Sequence, residues 1–178
     1  MRRSGVLLPV TSLPSRFGIG TFSKEAYAFV DFLKEAGQKL WQILPLGPTG
    51  YGDSPYQAFS TFAGNPYLID LEELIENGWL TEEECENTDW GGSKSYVDYE
   101  KMYQGRFPLL RKAYHNSHIA ENAEFIAFCE ENDWWLSDYA LFMAIKDSQG
   151  GASFLEWDAP LKLREPEAIR RCRHELSD

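Results

Sequence analysis

Gly5-Val6-Leu7-Leu8-Pro9-Val10 and Leu40-Trp41-Gln42-Ile43-Leu44-Pro45-Leu46 are the two stretches on which the fold turns. Each is a short apolar run punctuated by a proline, which reads as a strand buried on both faces. Between them Ala26, Phe29, Val30 and Leu33 fall at i, i+3, i+4 and i+7, one apolar helical stripe, and Gly37 is placed to end that helix. Strand, helix, strand over this length predicts a βαβ unit whose two strands are parallel neighbours.

Working outward, the stretch from Gly47 to Pro66 is rich in Gly, Pro, Ser and Tyr and shows no period. Loops this long with aromatics in them are usually functional, and α/β proteins place ligands at the C-terminal ends of their parallel strands. From Asp70 the character turns helical. Asp70 with Glu73, and Thr81 with Glu84, show the N-cap plus third-residue Glu pattern, and Gly78 can end the first of these helices. Further helices are expected over about 99–114 (strained at Pro108), 121–131 and 136–147 (closed by Gly150-Gly151), with a last one running from Pro166 off the end.

One βαβ unit cannot cover both faces of its sheet or satisfy its edges, and a complete (β/α)8 barrel takes about 250 residues. At 178 residues with a helical second part, the chain reads as α/β: the opening βαβ unit of a (β/α)8 TIM barrel with a mostly helical inserted subdomain, the barrel incomplete. The expected division is 1–70 for the first strands and loops of the barrel. Residues 71–178 then form the helical insertion and the return toward the barrel.

The formal net charge of -11 disfavours nucleic acid and anionic membranes as partners and leaves a neutral polymer possible. Aromatics make up 15% of the chain, available either to the core or to the apolar faces of sugars. Cys85, Cys129 and Cys172 lie far apart without CxxC spacing, against a disulfide framework or a zinc site and in favour of a reducing compartment. The apolar run after Met1-Arg2-Arg3 is too short for a signal peptide, and no run reaches transmembrane length. A cytoplasmic protein is expected. His115, His118 and His174 sit near expected helix ends without a third clustered ligand type, and no phosphate loop, nucleophile elbow or dinucleotide fingerprint occurs.

Several segments in fixed order carry a resemblance: Gly5 to Ser15 with Gly18-Ile19-Gly20, Trp41 to Thr49, Tyr51-Gly52-Asp53-Ser54-Pro55-Tyr56-Gln57 and Ala63 to Ile69. Asp138 to Phe142 and Leu163-Arg164 add to it. Together they make the chain resemble the amylomaltase or disproportionating-enzyme family, glycoside hydrolase family 77, over essentially its whole length. The resemblance implies a 4-α-glucanotransferase, which passes a segment of an α-1,4-glucan to the 4-hydroxyl of glucose or another glucan. Configuration is retained through a covalent glycosyl-enzyme intermediate, without metal or organic cofactor. Implied partners are malto-oligosaccharides, amylose-type glucans, glucose as acceptor and the C-terminal remainder of the same enzyme.

That chemistry takes a nucleophilic Asp and an acid/base Glu about 5–5.5 Å apart, with a third carboxylate on the sugar hydroxyls. In the family these come from later strands, so no catalytic residue is assigned here and the chain alone is expected to be inactive. What the resemblance does assign is part of a sugar cradle. Tyr56 matches the tyrosine that stacks under the sugar being cleaved, Ser54 and Asp53 can bond hydroxyls or hold the loop, and Tyr51 matches an accessory glucan-binding position. Asn65-Pro66 reads as turn chemistry, Trp41, Trp134, Trp135 and Trp157 as core. The rivals are a non-catalytic α-glucan-binding protein and a hydrolase of the wider α-amylase superfamily, whose style the second strand shares but the Ser54-Pro55-Tyr56-Gln57 loop does not.

Overall fold

A computed structural model describes every residue except Met1, Tyr51, Lys94 and Asp178. β1 (Gly5–Leu7) and β2 (Leu40–Gln42) pair in parallel, with Gly5 opposite Leu40, Val6 opposite Trp41 and Leu7 opposite Gln42. α1 (Lys24–Glu35) is the crossover between them. The Ser23 hydroxyl caps its start by accepting from the Glu25 N–H, and Glu25 and Lys34 complement the helix dipole at the two ends. Gly37, at a φ of +71°, turns the chain out of the helix while the Gln38 N–H returns to the Leu33 carbonyl at 2.8 Å. Gly20 is needed for a different reason: a Cβ there would stand 2.2 Å from the Val10 carbonyl oxygen.

The βαβ expectation holds for topology and pairing, but not for burial. Both strands are three residues long, and Leu7 and Leu40 are 55% and 52% exposed. The physical reason is that the sheet has two strands and one crossover helix, too little to cover two faces. Val30 is likewise exposed, so the stripe that α1 buries is Ala26, Phe29 and Leu33 without it. Ala26 packs with Val10, Leu13, Leu8, Phe29, Trp41 and Ile43. Trp41 is half-buried there, as a core residue with its indole N–H on the Leu8 carbonyl at 2.8 Å.

The chain divides into two compact units, 1–119 and 120–178. In the first, α2 (Leu71–Glu76), α3 (Glu82–Glu86) and α4 (Tyr99–Ser117) follow the loop region. Asp70 caps α2 through the Glu72 N–H, and Thr81 with Glu84 completes a reciprocal capping box on α3. Gly78, at a φ of +73°, ends the α2 turn. α4 runs through Pro108 and stops where His118 takes a left-handed φ of +50°. Phe17, Leu71, Leu80, Cys85, Leu109 and Ala113 form one core, and Ile19, Tyr67 and Met102 another.

The second unit holds α5 (Ala123–Ser148), α6 (Ala159–Lys162) and α7 (Pro166–Glu175). Two helices were expected where α5 is continuous. Asn132 and Asp133 suggest a break, yet their side chains bond along the helix, to the Phe128 carbonyl and the Ser137 hydroxyl, and no Gly or Pro interrupts it. Gly150 and Gly151 do close it, both with positive φ. α7 begins on Pro166 as expected but ends at Glu175 rather than running on. Leu141, Ile145, Trp157, Leu161, Ala168 and Cys172 are the core. Trp157 is therefore core, whereas Trp134 is 68% exposed and Trp135 only partly buried. Trp134 lies two turns before Leu141 on one stripe of α5, and the core of this unit draws on α5 only from Leu141 onward. All three cysteines are free, and no described helix is long and apolar enough to cross a membrane.

Candidate functional site

Beyond β2 the chain passes Pro45 and enters the loop that ends at Pro66. Its base is closed by the Asn65 N–H on the Leu46 carbonyl at 2.8 Å. The Asn65 side chain accepts from the Tyr67 N–H at 2.9 Å and so caps the short turn Pro66–Leu68. The turn-forming reading of Asn65-Pro66 accounts for both bonds.

Inside the loop the backbone folds on itself. The Asp53 N–H reaches the Gly50 carbonyl at 3.1 Å, and Asp53 takes a left-handed φ of +52°, which Asp tolerates better than most residues. The Gln57 N–H reaches the Ser54 carbonyl at 3.0 Å, while the Ser54 hydroxyl accepts from the Tyr56 N–H at 3.4 Å. This Ser-Pro turn pushes the Tyr56 ring outward, where it is 73% exposed. The ring stands over an open groove of about 430 Å³ lined by Pro45, Pro55, Ala58, Phe59, Ser60 and Thr61.

Behind Pro45 and Pro55 lies a smaller, more enclosed cavity of about 130 Å³. Its apolar wall includes Val10, Leu44, Leu46 and Leu68, and its polar wall Thr11, Thr49, Asp53, Asn65 and Tyr99. The Thr49 hydroxyl is buried there and has no protein partner. Burial pushes the Asp53 carboxyl above its ordinary range. Burial also pushes the Tyr67 phenol up to about 12, and the Asp53 charge adds to that rise. The Tyr99 phenol is raised by the same two causes in the same order, against a hydrogen bond from the Thr11 side chain.

Of the four residues singled out in the sequence, Ser54 and Tyr56 share one turn and Tyr56 presents its ring to the groove. Asp53 faces the inner cavity rather than the groove lining, and Tyr51 lies outside the described residues. Sequence reasoning missed Phe59 and Thr61 in the groove and Thr49 and Tyr99 in the cavity. Phe59 had a signal, an aromatic in a turn-rich loop; Tyr99 had none beyond its place at the start of a helix. The two linings together carry a single described carboxylate, Asp53. Retaining glycosyl transfer takes two carboxylates about 5–5.5 Å apart, a pair that the described residues of these two linings do not hold. Among the described residues no three His, Cys, Asp or Glu side chains cluster as metal ligands.

A family model described as 4-alpha-glucanotransferase matches residues 8–178. The chain is similar to the 4-alpha-glucanotransferase of Thermus thermophilus, 48% identical over 181 residues, covering 99% of this chain and 35% of the relative. It is similar to that of Clostridium butyricum at 46% over 169 residues, covering 95% and 35%. Among solved structures, an amylomaltase from Streptococcus agalactiae in complex with acarbose superposes with a TM-score of 0.92 at 46% identity, covering 99% of this chain and 36% of that one. The chain thus spans about 35% of the length of the relatives it matches.

Proposed function

This chain belongs to the 4-alpha-glucanotransferase family, and from that premise we propose that it supplies the first strands and the sugar platform of such an enzyme. The intact enzyme cuts an α-1,4-glucan, holds the donor segment covalently on an Asp, and passes it to the 4-hydroxyl of glucose or another glucan. The Glu that protonates the leaving oxygen then takes the proton of the incoming hydroxyl, so configuration is retained. Both carboxylates come from polypeptide other than this chain. Residues 1–70 open a (β/α)8 barrel and 71–178 form its helical insertion and the return. The setting is cytoplasmic.

The observation that carries the reading is the Tyr56 ring, turned outward by the Ser54-Pro55 turn into an open groove beside Pro45. Glucose offers an apolar C–H face to such a ring, and an electron-rich face favours the positive charge of an oxocarbenium-like transition state. Ser54, with its oxygen already accepting from Tyr56, keeps its hydroxyl hydrogen to donate to a sugar oxygen. The acarbose complex of the Streptococcus agalactiae amylomaltase supports an α-glucan as the ligand.

Ring-labelled tyrosine NMR of this chain titrated with maltotriose tests the platform. The Tyr56 signals are expected to shift on binding, and Tyr56→Ala to weaken maltotriose about tenfold, the equivalent of ~1.4 kcal/mol. Unchanged Tyr56 signals at saturating maltotriose would reject the platform. Since Tyr56 is exposed and packs little, the same substitution leaves stability within about 0.5 kcal/mol.

A further inference from the structure

Phe59 lies three residues after Tyr56 and lines the same groove, with 41% of its surface exposed. The backbone beneath it is close-packed on the loop that leaves β2. A Cβ at Gly47 would stand 2.9 Å from the Ala58 Cβ and 3.2 Å from the Ser60 carbonyl oxygen, and one at Gly50 would stand 3.8 Å from Phe59 Cδ1. Gly47 is therefore glycine for the close approach of residues 58–60. On the other side of the ring the Ser60 hydroxyl accepts from the Phe62 N–H at 3.2 Å and from the Ala63 N–H at 3.0 Å, which fixes the turn that follows. The Phe59 backbone is thus pinned from both sides while its ring stays open to the groove, a flat apolar surface offered at little ordering cost.

Resting on the sugar-platform reading, we propose that Phe59 is a second sugar-seating ring beside Tyr56, and that it makes the groove prefer a chain of glucose units over a single one. An α-1,4-glucan is a row of rings, each with an apolar C–H face. One aromatic ring covers the face of one unit, and a second ring in the same groove meets a further unit. The groove, at about 430 Å³, falls within the ~300–1,000 Å³ of ordinary ligand clefts. A single glucose is held where ring and hydroxyl coincide, at Tyr56 with Ser54, and leaves Phe59 unused; maltotriose uses both rings. Phe59 carries no hydroxyl, so it adds contact area without a directional bond and selects for length, not for the pattern of sugar hydroxyls. Gly47 is then a positioning residue, acting through the backbone of residues 58–60.

The test titrates this chain, with its Phe and Tyr rings labelled for NMR, with glucose and then with maltotriose. Maltotriose is expected to shift the Phe59 and Tyr56 signals together, and glucose to shift Tyr56 without Phe59. Phe59→Leu keeps apolar bulk over Gly50 and loses the flat face. It is expected to weaken maltotriose about fivefold and to leave glucose binding as it was. Gly47→Ala keeps both rings but crowds residues 58–60, and is expected to weaken maltotriose in the same selective way. Phe59 signals that stay still at saturating maltotriose while Tyr56 moves overturn the proposal and leave the Tyr56 platform standing. Silence at both rings rejects the platform, and this inference with it, so the two failures are told apart. Equal weakening of glucose and maltotriose by Phe59→Leu also overturns it, because the ring then does nothing for length. The wild-type shifts need no variant, so the proposal can fail even where Leu unsettles the loop.

Discussion

Arg106 is the residue whose role the sequence hides best. It sits in α4 with no exposed surface, and its guanidinium donates to the Phe17 carbonyl at 3.4 Å and to the Ile69 carbonyl. Burial pulls its pKa down to about 10, opposed by the Asp70 charge, so at neutral pH it remains a cation in an apolar site. It ties the segment after β1 and the segment before α2 to one helix. Arg106→Met would keep the apolar stem and leave the buried Phe17 carbonyl and the part-buried Ile69 carbonyl without this donor. A loss of about 2 kcal/mol in urea unfolding is expected, and an unchanged midpoint would mean that the carbonyls find other donors. Nothing in the run Tyr103-Gln104-Gly105-Arg106-Phe107 announces this, since a lone Arg on a helix reads as solvated until its three-dimensional neighbours are known. Tyr56 is the opposite case. Its Ser-Pro turn in an aperiodic loop was legible in advance, because turn chemistry is a local property.

At the scale of elements, caps and crossovers were readable and helix continuity was not. The Thr81 capping box appears in the structure atom for atom, with the Glu84 carboxylate on the Thr81 N–H at 2.9 Å. Thr81→Ala is expected to cost about 1 kcal/mol by thermal or urea unfolding. Glu84 does a second task, pairing with Lys112 of α4, and that hydrogen bond, ahead of the one from the Thr81 backbone, holds its carboxyl below the ordinary range. The contribution is fully present above the unfolded carboxylate's pKa and is lost as pH falls through the lower folded-state value. Lys112→Met should therefore move the Glu84 titration upward and flatten the acid limb of the stability curve. A carboxyl midpoint that does not respond would show the pair to be without effect in solution. α5 escaped the sequence because Asn and Asp weaken a helix on average, while Asn132 and Asp133 bond within their own turns. The burial of β1 and β2 was misjudged for a related reason: an apolar run states what a strand is fitted to, not what lies beside it.

Over the whole chain, the strand order and the helical second part were legible from periodicity, whereas exposure depends on atoms that periodicity does not name. Leu7, Leu40, Val30 and Phe32 leave apolar surface on β1, β2 and α1 uncovered, and such surface invites further polypeptide. The central claim is that this chain carries the sugar platform of a glucan transferase while the acid and the nucleophile come from elsewhere. Glucose release from maltotriose tests it most directly, measured with this chain alone and then with the C-terminal part of the Thermus thermophilus relative added. The account predicts no glucose from the chain by itself, and glucose with longer oligosaccharides from the mixture, abolished or strongly reduced by Tyr56→Ala. Steady glucose release by the chain alone, or a mixture indifferent to Tyr56, would contradict it.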